Sequence, residues 1–198
     1  MISGAKNMKD KTIIYKGNIN KIADYYCDLF RGYADIKEEA KKEAIRDWAK
    51  RCFLGNGLYR FAFAQYISKS AKEYLESLPV SQLNIKGYQM EHIVPKSSGG
   101  LKSIIEVASD NTLCESEKDE RIRTIVKTEM LVCFVTDKEN EKLNKVCKND
   151  MPDKFFREKG NFFLRYEEAF GMNEKELMEN FFVKISTIQI HDNKLKIN

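Results

Sequence analysis

Glu91-His92-Ile93-Val94-Pro95-Lys96-Ser97-Ser98-Gly99-Gly100 is the stretch on which the reading of this 198-residue chain turns. An acid and a histidine stand together in a short run that carries Ile85, Tyr88, Met90, Ile93 and Val94, and a Ser-Ser-Gly-Gly signal follows. The apolar run predicts a strand and the small residues a loop. Downstream come Asp110-Asn111-Thr112-Leu113 and Ser116-Glu117-Lys118-Asp119-Glu120-Arg121, and then Ile122, Ile125, Val126 and Met130 on one helical face. Strand, loop, strand and helix would make a hairpin capped by a helix and bring these distant polar groups into one pocket.

Those residue types suit hydrolysis of a phosphodiester, which needs a base to activate water and a cation to offset charge on the phosphate and the departing oxygen. His92 titrates near neutrality, so its neutral ring can take a proton from water. Glu91 and Asp119 offer the hard oxygen donors that magnesium or manganese prefers. Each residue also has a plainer use. His92 alone reads as a half-buried histidine, Asp119 as the capping-box partner of Ser116, Asn111 as a turn residue beside Asp110, and Gly99-Gly100 as loop. Only the ordered set singles out the chemistry. The plainer use of neighbouring Lys96, Lys102, Lys118, Arg121 and Arg123 is a solvated face; as substrate contacts to backbone phosphates, Lys96 and Arg121 adjoin the motif most closely.

The ordered pieces resemble the ββα-metal, or HNH, endonucleases, with the closest likeness to the HNH domain of CRISPR-guided nucleases. There an Asp-His-Ile-Val-Pro-type first motif precedes a Ser-acid-Lys-Asn-type helix start. The resemblance covers about 30 of the 198 residues. It implies His92 as general base, Glu91 and Asp119 as metal ligands, Glu117 as an outer ligand and Asn111 as the residue that fixes the loop and orients His92. It also implies one divalent cation, Mg2+ or Mn2+, and products with 5′ phosphates. Two departures stand out. The third family position, usually Asn or His, is here Asp119, or Glu120 if spacing from Asn111 is counted without a gap, and no zinc-knuckle cysteines are present. Glu91 and His92 are neighbours, so a regular strand would point them to opposite faces; a shared pocket requires the strand to end or bulge there.

Working outward, helical spacing predicts helices over 18–32, ending at Gly32, over 35–53, and over 58–78 before Pro79. Their aromatic residues are read as packing. Beyond 137 the signals weaken through DKENEKLNKVCKND to an aromatic-rich segment. A helix over 173–183 opens at Asn173, and the last residues read as a strand or hairpin turning at Asp192-Asn193. His191 has no chemical company and reads as a surface residue. The expected fold class is α+β: a mainly helical chain with an embedded ββα-metal unit. It divides into a helical N-terminal subdomain over 1–80, the catalytic unit over 81–135 and a C-terminal α/β segment over 136–198.

Composition sets bounds on this reading. With 34 basic and 30 acidic residues, the net charge of +4 permits nucleic-acid binding without indicating it. No stretch approaches a membrane span, and Met1–Gly17 has no apolar run of a secretory signal, so no membrane partner is expected. Five cysteines without a C-x-x-C pair argue against a disulfide framework and suit a reducing cytoplasm. The expected partner is nucleic acid, DNA by analogy, with two alternatives: a non-catalytic nucleic-acid- or protein-binding module on the same scaffold, and an effector subunit active only with a partner protein. A homodimer is also compatible.

Overall fold

The computed structural model describes residues 19–51, 64–83, 87–95, 99–148, 150–157 and 161–198. Helix α1 (Ile19–Phe30) buries Ile22, Ala23, Tyr26, Cys27 and Phe30, the face expected from their spacing. It ends at Gly32, whose φ of 67° is the left-handed conformation that a glycine adopts without a Cβ penalty. A short 3-10 turn (Tyr33–Asp35) leads to α2 (Glu39–Arg51). With α4 (Gly100–Ser109) and α5 (Glu115–Glu129), these elements enclose a helical core around Tyr26, Phe30, Ile104, Ile122 and Val126.

The helix expected over 58–78 differs where it is described, and residues 58–63 lie outside the described residues. Tyr66–Ser68 is strand β1, and only Lys69–Ser77 is helix α3. Ser68 makes the break, because its Oγ accepts from Ala71 N at 3.0 Å as an N-cap. Strand β2 (Tyr88–His92) follows as expected. The second strand of the expected hairpin does not form between the Ser-Ser-Gly-Gly signal and Ser116. Residues 100–109 are helix α4, because Leu101, Ile104 and Ala108 recur at helical spacing and are buried. The strand that pairs with β2 is β3 (Val132–Thr136), antiparallel, after α5 instead of before it. Strand, strand, helix is replaced by strand, helix, helix, strand.

β3 is the inner strand that fixes the sheet. It pairs parallel with β1, which pairs antiparallel with β4 (Phe182–Lys184), giving the order β2-β3-β1-β4. Each of the three sequence segments supplies at least one strand. Val132 and Phe134 face a cluster with Ile67, Leu75 and the hairpin β5 (Ile188–His191) and β6 (Lys194–Ile197). Cys133 and Val135 face a second, aromatic cluster with Tyr166, Phe181 and Phe182. The charged run after 137 is helix α6 (Asp137–Val146), capped reciprocally by Thr136 and Glu139. The aromatic cluster is completed by α8 (Leu164–Phe170), after a short α7 (Asp153–Arg157).

The expected helix 173–183 is shorter. Asn173 caps one turn, α9 (Glu174–Glu176), which passes into a π turn (Leu177–Phe181) and then β4. The final hairpin turns at Asp192-Asn193 with φ of 47° and 62°, as the sequence suggests. The chain is thus a mainly helical α+β protein. No described helix is long and apolar enough to cross a membrane.

Candidate functional site

β2 remains in regular register through its last residue: Glu91 stands opposite Cys133 and His92 opposite Val132. Partners on a ladder share a face, so Glu91 points to the aromatic cluster and His92 to the opposite side of the sheet. The bulge that would let both approach one phosphate does not occur. Ile93 N still donates to Leu131 O at 2.9 Å, one step past the ladder, and Val94 and Pro95 are buried. Gly99 N donates to Pro95 O at 3.2 Å, and Lys96 lies outside the described residues.

The Gly99-Gly100 pair is a packing requirement and not only a loop signal. A Cβ on Gly99 would come within 2.5 Å of Val94 Cγ1, and one on Gly100 within 2.3 Å of Met130 Sδ. The absence of side chains lets Gly99 and Gly100 lie against Val94 and the C-terminal end of α5. There Glu129, half-buried, accepts from Ser103 Oγ at 2.8 Å. Burial pushes the Glu129 carboxyl up, opposed by the Ser103 bond and aided by Glu106.

Glu91 meets a residue that the sequence reading did not single out. Arg165, on α8 and only 1% exposed, brings Nη1 to 3.4 Å from Glu91 Oε2 and donates through Nη2 to Lys148 O at 3.3 Å. Burial raises the Glu91 carboxyl above its ordinary value, and Arg165 offsets that rise incompletely. Arg165 could have been noticed as a lone charge in the apolar run Phe162-Phe163-Leu164-Arg165-Tyr166. A buried guanidinium needs an acceptor, and Glu91 provides one.

The remaining motif residues gather at the other end of α5. Asp110, and not Asn111, fixes the turn: its Oδ1 accepts from Thr112 N at 2.8 Å and Thr112 Oγ1 at 2.6 Å, while Asn111 is exposed. The Thr112 bonds hold the Asp110 carboxyl low. The cap at α5 is two residues earlier than expected: Glu117 accepts from Cys114 N at 2.9 Å, so Glu117, and not Asp119, answers the N-cap residue. Asp119 instead accepts from Nη2 of Arg31, just past the end of α1, at 3.3 Å, and its carbonyl accepts from Cys27 Sγ at 3.5 Å. Burial first and Asp119 second raise the Cys27 thiol to about 11. Glu120 and Arg121 are exposed and line, with Glu117, Val107, Thr124 and Ile125, a shallow hollow between α4 and α5.

The motif therefore falls into two separate groups. Asp119 is eleven residues before Met130, about 16 Å along the helix axis at 1.5 Å per residue, and Met130 adjoins the end of β2. Glu91 and Asp119 do not converge on one point. Among the described residues, no group of three or more His, Cys, Asp or Glu side chains is placed to hold a metal ion. This arrangement does not fit the divalent cation that the resemblance implies. What it does hold is a buried Arg165–Glu91 pair beside one end of α5 and a set of capped and ion-paired acids at the other.

Neither a protein-family model, nor a curated protein, nor a solved structure matches the chain.

Proposed function

We propose that the chain is an HNH-related endonuclease acting on DNA, whose motif residues rest apart in the free chain and must be brought together by substrate or a partner protein. The observation that carries the reading is the ordered set Glu91-His92-Ile93-Val94-Pro95, Asp110-Asn111-Thr112-Leu113 and Ser116-Glu117-Lys118-Asp119 within one short stretch. The acids of that set are each engaged: Glu91 with Arg165, Asp110 with Thr112, Asp119 with Arg31, Glu117 with its helix cap. Arg31, which bonds Asp119, and Arg121 in the first turns of α5 lie beside the motif acids, and Lys96 adjoins the first motif in the sequence. They suit phosphate contacts that position a strand without reading its sequence.

A second reading, a nucleic-acid-binding module that does not turn over, is favoured by the separation of Glu91 and Asp119 along α5. One experiment divides the two. Wild-type and His92→Ala protein are incubated with supercoiled plasmid and with single-stranded DNA in magnesium, manganese or EDTA, alone and with the product of the neighbouring gene. Metal-dependent cutting that the folded His92→Ala variant loses supports the nuclease. Retention of labelled DNA with no cutting in any combination overturns it and supports the binding module.

A further inference from the structure

Arg165 is the most deeply buried charged side chain among the described residues, between Leu164 and Tyr166, which are buried with it at the start of α8. Its guanidinium donates to Glu91 Oε2 and Lys148 O, and its Nε has no acceptor. Glu91 is the one carboxylate paired with it among the described residues. Such a pair is a poor source of stability, because taking two charges out of water offsets most of their attraction, and an apolar residue of similar volume often serves the fold as well. A buried arginine on a motif acid therefore invites a role other than packing.

The two partners are unequally tied to the contact. Glu91 keeps 25% of its side chain exposed, so its carboxylate can turn to water. Arg165 has no such exit. If Glu91 leaves, a buried cation remains without its carboxylate, which is the unfavourable half of breaking a buried pair. The restraint on Glu91 thus originates in Arg165.

Arg165 is also the better anchored of the two. Its neighbour Tyr166 packs against the rings of Phe170, Phe181 and Phe182, with centroids 6.1, 6.0 and 5.1 Å away. Glu91 lies on β2, an edge of the sheet that pairs with β3 alone among the described residues. A fixed arm holds a side chain on a strand that is bound on one side.

We propose that Arg165 is an autoinhibitory latch: it keeps Glu91 apart from the other motif residues in the free chain, and the pair opens when the chain acts on DNA. The inference rests on the nuclease reading above and names what holds that site at rest. It differs in sign from the effect of a cation that serves only the fold or the backbone of DNA. Removing such a cation weakens binding to phosphates or leaves it unchanged. Removing a latch tightens binding, because a larger share of the chain is then competent to bind.

The test uses the full chain and three variants. Arg165→Met and Arg165→Gln remove the charge, Arg165→Lys keeps a cation, and circular dichroism with melting curves shows which variants fold. In the DNA-free chain, carbodiimide labelling of Glu91, read by peptide mass spectrometry, should rise at least about threefold in the neutral variants and little in Arg165→Lys. Retention of labelled DNA should tighten about tenfold in the neutral variants, and cutting in magnesium should rise or become independent of the neighbouring gene's product. Unchanged labelling of Glu91 overturns the latch. So does a wild type that retains or cuts DNA while the folded neutral variants retain it no more tightly, and this leaves the nuclease reading intact. Failure of both neutral variants to fold makes Arg165 a structural residue and overturns the latch as well. If no variant and no combination retains or cuts DNA, the nuclease reading itself fails and the latch falls with it.

Discussion

Glu129 shows how the charge state of one side chain is tied to the packing of the motif loop. Its half-buried carboxylate accepts from Ser103 and sits where Gly99 leaves room for it. Burial raises its proton affinity above the ordinary carboxyl value of 4.5. A raised folded value means that, between 4.5 and that value, the native state binds more protons than the unfolded chain, so this group's contribution to stability falls as pH rises through the window. Glu129→Gln keeps an acceptor for Ser103 and removes the ionisation. We expect the variant to melt at or above the wild-type temperature at pH 7, and the wild-type advantage to return only below that window; melting curves from pH 4 to 7 check both. At this scale the sequence was only partly legible. The Glu91-His92 pair stands out by composition, but its buried partner Arg165 is 74 positions away and joins it only through the fold. Asn111 and Asp110 are adjacent and chemically alike in a turn, and only the Thr112 bonds show that the aspartate does the fixing.

Elements were readable where one face of a helix meets the core, as in α1 and α5. They were misread where a loop signal hid a helix. The Ser-Ser-Gly-Gly signal precedes α4, and its glycines serve close packing: Gly99 against Val94 and Gly100 against Met130. Val94 is fully buried and β-branched, so it has no alternative rotamer with which to step aside for an added methyl group. Gly99→Ala should therefore lower stability by about 1–3 kcal/mol through overpacking, read as an earlier midpoint in urea with unchanged slope. A midpoint equal to that of the wild type would show that Gly99 does not lie against Val94. The same logic explains the short α3. Tyr66 and Ile67 carry helical spacing with their neighbours, yet Ser68 caps the next helix and frees the two residues to pair with Cys133 and Phe134.

The whole molecule is organised by pairings that no local pattern announces. β3 links β2, which carries Glu91 and His92, to β1 from the first 80 residues, and β4 joins from the last 20. The sequence predicts a strand in the run up to Val94 but not that its partner lies beyond two helices, because ladder partners are chosen by the shape of the entire core. That choice puts Glu91 and His92 at one end of α5 and Asp119 at the other, so the proposed nuclease reading requires the two groups to be brought together. The direct test is a spin-label distance between exposed positions 89 on β2 and 116 at the start of α5, with and without DNA and magnesium. Ser116 is fourteen residues before Met130, so the free chain should show a distance above about 20 Å, and DNA with magnesium should add a clearly shorter population. A single short distance in the free chain would contradict the fold. A long distance unchanged by DNA that is nevertheless cut would contradict the need for assembly.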